Sequence, residues 1–83
     1  MSRYYFHVVN GHFMPDATGA DCANLEEAKS QAIVSAGQML NDQGLTTWET
    51  GHWDMYVCDD QNKTILKLSF TAEDVSGTGK AGA

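Results

Sequence analysis

Along residues 24–44, NLEEAKSQAIVSAGQMLNDQG, the apolar residues Leu25, Ala28, Ala32, Ala36, Met39 and Leu40 recur every three or four positions, with Ile33 on the margin of the stripe. That period places them on one face of a helix. Glu26, Lys29, Gln31, Ser35, Gln38 and Asp42 fall mainly on the other side. Asn24 suits the N-cap, Glu27 stands three residues on as in a capping box, and Gly44 suits the position past the C-cap. Gly37 interrupts the pattern at a cost of about 1 kcal/mol against alanine, so it is expected to mark close packing. Three alanines on the stripe make a slim face that can lie close to a sheet.

Elsewhere the pattern alternates with period two. Residues 3–9, RYYFHVV, put Tyr4, Phe6 and Val8 on one face and Tyr5, His7 and Val9 on the other. Asn10-Gly11 suits a two-residue type I′ turn, so His12, Phe13 and Met14 should return as a short strand that Pro15 ends. Residues 16–22, DATGADC, read as a turn with Gly19 free for an unusual backbone angle, then a few extended residues near 20–23. Residues 45–51 form a connector in which Trp48 folds back on the core edge. In residues 52–59, HWDMYVCD, Trp53, Met55 and Val57 face one way, and His52, Asp54, Tyr56 and Cys58 the other. A polar turn leads to residues 64–70, TILKLSF, with Leu66, Leu68 and Phe70 inward and Ile65, Lys67 and Ser69 outward. Residues 71–75 suggest a capped turn.

The order strand, strand, helix, strand, strand predicts an α+β two-layer sandwich: a mostly antiparallel sheet of three to four strands with one helix on one face. At 83 residues the chain is one domain, placed at 1–75, and 76–83 is a tail without apolar periodicity. A chain this short buries only about 60% of its unfolded surface, which disfavours a large internal cavity.

Charge and cysteine content narrow the function classes. Eleven acids against five scattered bases give a net charge of −6, which disfavours nucleic acid as a partner and suits a basic protein. No apolar run approaches the roughly 18 residues of a membrane span, and no leader sequence is visible. Cys22 and Cys58 form no CxxC pair, so reduced thiols and a cytoplasmic location are expected. One bridge between them stays open on sequence alone.

With the helix on one side, the other face of the sheet carries Tyr5, His7, Val9, Asp54, Tyr56, Ile65 and Lys67 as a candidate partner-binding surface, with Cys58 beside them. Aromatic residues give contact area at low entropy cost, although tyrosine and β-branched residues also occupy wet sheet faces through propensity alone. Self-association through this face or through a sheet edge, as a homodimer, is expected. A metal site from His7, His12, His52, Asp54, Cys22 and Cys58 has suitable ligand types, but no HxH, HxxxH or CxxC spacing supports it. A Cys58–His7 or Cys58–His52 nucleophile lacks an orienting group and an oxyanion hole, and no phosphate loop or nucleophile elbow is present. We therefore expect no enzymatic activity and no cofactor.

The segments RYYFHVVNG, PDATGAD, NLEEAKSQA and WDMYVCDDQNKTILKLSF, taken in order, resemble a family of short bacterial proteins of unknown function. Such proteins open with an RYFFH-like strand, continue with a D-x-x-G turn and end in a W-x-x-x-V-x-D-x-x-G-x-x-L-x-x-L-x-F-like hairpin. The resemblance implies the fold but no activity. Here Asn62 or Lys63 stands where the hairpin usually has glycine. A looser likeness, over about residues 3–40 and centred on Leu25-Glu26-Glu27-Ala28, is to antitoxins of the HicB type. It implies a basic toxin as partner.

Overall fold

The structure, a computed structural model, describes residues 2–44 and 51–73. Its elements are β1 (Ser2–Val9), β2 (Phe13–Met14), β3 (Ala20–Cys22), α1 (Leu25–Gln43), β4 (His52–Cys58) and β5 (Thr64–Thr71). The expected fold-back of Trp48 and the tail from Ser76 lie outside the described residues, as does the end of the expected turn over 71–75.

All pairings are antiparallel, and the sheet runs β2-β1-β4-β5 with β3 also on β1. One edge of β1 is thus shared. β3 pairs with Ser2, Arg3 and Tyr4, and β2 with Val8 and Val9. Among the described residues this gives five strands where three to four were expected, because the extended residues near Ala20 form a strand of their own.

The alternation sorts the faces. Tyr4, Phe6 and Val8 of β1 and Trp53, Met55 and Val57 of β4 are buried against Ala28, Ala32 and Ala36 of the helix. With only methyl groups on that stripe the helix can approach the sheet closely, and Met39 and Leu40 pack against the same cluster. Asn24 Oδ1 accepts the Glu27 N–H at 2.9 Å, while Glu27 Oε1 accepts the Ala23 N–H at 2.8 Å, one residue ahead of a standard capping box. At the other end the Gly44 N–H reaches the Leu40 carbonyl at 3.1 Å.

Cover is uneven across the sheet. Trp53, Met55 and Val57 are 1%, 0% and 0% exposed, but Phe70, directly opposite Trp53 on β5, is 41% exposed. Leu25 and Ile33 also stand largely in solvent. The helix therefore covers β1 and β4 and leaves β5 only half roofed.

Three local expectations need correction. Val9 pairs with Phe13, so Asn10, Gly11 and His12 make a three-residue loop instead of a type I′ turn. Only Gly11 takes a positive φ there, and the Asn10 N–H closes onto the His12 carbonyl at 3.0 Å. Gly37 is exposed, and a Cβ placed on it would meet nothing within 4 Å, so it marks no close approach. Ile65 is partly buried and packs against the core cluster, because the register shifts by one residue between Val57 and Cys58 and breaks the alternation.

Candidate functional site

The open face of the sheet is built by register. Cross-strand pairs set His7 beside Tyr56 and Tyr56 beside Lys67, and, one step along, Val9 beside Asp54. Tyr5 and His7 stack, with ring centroids 6.4 Å apart and planes 7° from parallel. The Phe13 ring of β2 is tilted 50° to the His7 ring with centroids 5.8 Å apart, and the Lys67 ammonium lies 5.3 Å from the Tyr56 centroid. Tyr5, His7, Val9, Asp54 and Tyr56 are half-buried, and Lys67 is exposed. Of the expected surface, Ile65 departs for the reason given above, and Cys58, expected beside these residues, is buried at the register shift.

His7 is fixed from behind by a device that sequence reasoning missed. Between the β3 and β2 pairings, Tyr5, Phe6 and His7 have no strand partner on that edge of β1 among the described residues. The segment joining β2 to β3 fills the gap with side-chain and backbone groups of Asp16. Asp16 Oδ2 accepts the Phe6 N–H at 3.1 Å, Oδ1 accepts the Thr18 and Gly19 N–H groups at 3.0 Å each, and the Asp16 N–H donates to His7 Nδ1 at 2.9 Å. The carboxylate thus takes the place of a neighbouring strand's carbonyl and folds its own turn at the same time.

Burial works against ionisation of Asp16. The hydrogen bonds from Gly19, Phe6 and Thr18, with His7 adding in the same direction, outweigh it and hold the carboxyl below its ordinary range. Gly19 closes the device with φ at +72°: a Cβ there would sit 2.8 Å from the Tyr4 carbonyl oxygen and 2.9 Å from the Tyr5 ring. The signal lay in the D-x-x-G spacing, which admits an Asx turn ending in a left-handed glycine.

The second turn repeats the logic. Asp59 Oδ1 accepts the Gln61 and Lys63 N–H groups at 2.9 Å each, and Asn62 takes φ 64° where glycine is usual. Asp59, Asp60 and Asn62 border a shallow hollow of about 240 Å³ beside Tyr5 and His7. A larger cleft of about 610 Å³ runs between the helix, at Gln31, Ser35 and Met39, and Phe6, Val8 and Met14.

The candidate metal ligands stay scattered. His12 is in the exposed β1–β2 loop, His52 opens β4, and Cys22 is sealed in the core. Among the described residues no three His, Cys, Asp or Glu side chains gather as a metal ion requires. Cys22 and Cys58 are both free, buried thiols in the structure. Burial, with the charges of Glu27 and Asp21, pushes the Cys22 thiol up, away from nucleophilic thiolate. Cys58 Sγ lies 3.4 Å from Thr64 Oγ1. Among the described residues no helix is long and apolar enough to cross a membrane.

No curated protein and no solved structure matches the chain. Residues 3–71 match a family described as a domain of unknown function, DUF6894; the match takes in the helix and all the described strands except Ser2 at the start of β1, and the chain belongs to that family.

Proposed function

We propose that this chain is a non-enzymatic protein-interaction domain of the cytoplasm that works as a homodimer and meets a protein partner on the open face of its sheet. One observation carries the reading: the rings of that face are held in place before any partner arrives. Tyr5 stacks on His7, His7 is anchored by the Asp16 N–H, and Tyr56 carries the Lys67 ammonium. Aromatic side chains already ordered lose little entropy on binding, which is the property that makes them effective interface anchors. The net charge of −6 favours a basic partner.

The test is affinity capture from the source cell with the wild-type chain, Tyr5→Ser, Tyr56→Ser and, as control, the exposed helix variant Gln38→Ala. Circular dichroism checks each fold. A protein recovered in fixed ratio by the wild type and by Gln38→Ala, but lost by both tyrosine variants, supports the face. Equal recovery by all four would remove it from consideration.

A further inference from the structure

We infer that the outer edge of β5 is the seam of the homodimer, where two copies join strand to strand about a twofold axis at Leu68. The inference rests on the self-association part of the reading above and is independent of the partner face.

The free backbone groups of β5 can be assigned. Phe6 sends its N–H to Asp16, away from β4, so Phe6–Val57 is a pair without mutual hydrogen bonds. Val57 therefore turns its backbone to Leu66, and by alternation Leu68 and Phe70 also bond to β4. The Ala72 N–H bond to the Gly51 carbonyl, 3.0 Å, falls on the same alternation. Lys67, Ser69 and Thr71 are left pointing outward, and among the described residues no strand pairs with them.

Natural sheets guard such an edge with proline, charge or cover. This stretch of β5 has no proline, and its one charge, Lys67, lies back over the Tyr56 ring of the same chain. The core side of the edge is also under-roofed. Phe70 is 41% exposed and Ile33 64% exposed. On the helix, Ile33 and Leu40 flank the alanine stripe opposite Gln31, Ser35 and Asp42, which line the cleft toward β2. They therefore lie toward β5.

A second copy fits this edge. Centring the axis on Leu68 sets Leu68 against the partner's Leu68, Leu66 against the partner's Phe70, and Lys67 against the partner's Ser69. Lys67 and Ser69 then exchange hydrogen bonds with each other's backbone. An axis on Lys67 would oppose two ammonium groups. β5 carries no carboxylate, so the seam avoids the repulsion that a chain of net charge −6 meets elsewhere. A strand contact of this length, backed by the Ile33–Leu40 flank of each helix, buries on the order of 1,000 Å² in total, where specific dimers begin.

The test is analytical ultracentrifugation of the wild type, Ser69→Pro and Tyr5→Ser, with amide hydrogen exchange of the wild type at low and high concentration. Proline at Ser69 deletes only an outward N–H, so the monomer should fold. The expected result is a dimer weakened at least about tenfold by Ser69→Pro and unchanged by Tyr5→Ser, which lies on β1 and leaves Lys67 over Tyr56, consistent with loss of charge-free backbone bonds across the seam. The Lys67 and Ser69 amides should become protected only as concentration rises. A dimer lost in Tyr5→Ser but intact in Ser69→Pro overturns the seam and leaves self-association standing. A wild type monomeric at every concentration overturns both. Lys67 and Ser69 amides protected in a monomer would mean that the chain covers its own edge, which also overturns the seam. Should Ser69→Pro fail to fold, the exchange pattern of the wild type decides alone.

Discussion

Replacing Asp16 should damage this fold far more than its position in a surface connection suggests. The carboxylate accepts three backbone N–H groups, at 3.1, 3.0 and 3.0 Å. Hydrogen bonds to a charged group contribute about 1.5–3 kcal/mol each, but Thr18 is exposed and water can replace its bond almost fully. The Phe6 and Gly19 donors are partly buried and cannot be rehydrated so easily. Asp16→Ala should therefore cost about 2–4 kcal/mol, a large part of the roughly 5–12 kcal/mol that a domain of this size possesses. Asp16→Asn should recover little. Its single oxygen can keep the Thr18 and Gly19 bonds or the Phe6 bond, and the NH₂ group then faces a donor, so about 2 kcal/mol should be lost even with shape conserved.

The pH dependence gives a second readout. A carboxyl held below its ordinary range stabilises the fold above the unfolded pKa, about 3.9 for Asp, and that contribution is lost as pH falls through the lower folded value. Urea unfolding, followed by fluorescence of the buried Trp53, at pH 7 and near pH 3 supplies the numbers. The gap between wild type and Asp16→Asn should narrow at the acidic end. An Asp16→Ala variant within about 0.5 kcal/mol of wild type, or a gap equal at both pH values, would refute the account of Asp16 as a substitute strand.

Other substitutions probe the glycines and the second turn. Gly19→Ala must place a Cβ against the Tyr4 carbonyl at a left-handed φ, so a loss of about 2–4 kcal/mol is expected in the same urea assay. Gly37→Ala points the other way: it is exposed, helical and unobstructed, so a gain of up to about 1 kcal/mol and a rise in Tm of some 4–8 °C by calorimetry are expected. Asn62→Ala should cost about 1 kcal/mol by thermal denaturation, since alanine lacks asparagine's tolerance of the left-handed region, and Asn62→Gly should cost nothing.

The helix was legible because its period, its Asn24 cap and its alanine stripe are all local, and burial of Ala28, Ala32 and Ala36 follows the stripe closely. The faces of β1 and β4 were legible for the same reason. What could not be read depends on contacts distant in sequence. The length of the Asn10–His12 loop follows from where β2 meets β1, and β3 exists because Asp16 and Gly19 lay the chain across that strand. Gly37 was misread because composition alone cannot distinguish a glycine under pressure from one facing water. Ile65 was misassigned because alternation fails at a bulge, and the bulge is set by a turn that Asp59 and Asn62 jointly fold.

The open face was half legible in the same sense. Alternation put Tyr5, His7 and Tyr56 together, but nothing in the period says whether such rings are mobile or held. The answer comes from the edge of the sheet. Asp16 reaches the edge of β1 through its carboxylate, and its own N–H holds the His7 ring on the open side. His7 in turn stacks on Tyr5 and pairs across the ladder with Tyr56. The residue that repairs the broken edge of β1 is thus the residue that orders the face, so fold stability and the shape of the candidate interface are tied through one side chain. A variant that keeps the domain folded but loosens Asp16 should free the His7 ring before it unfolds the sheet.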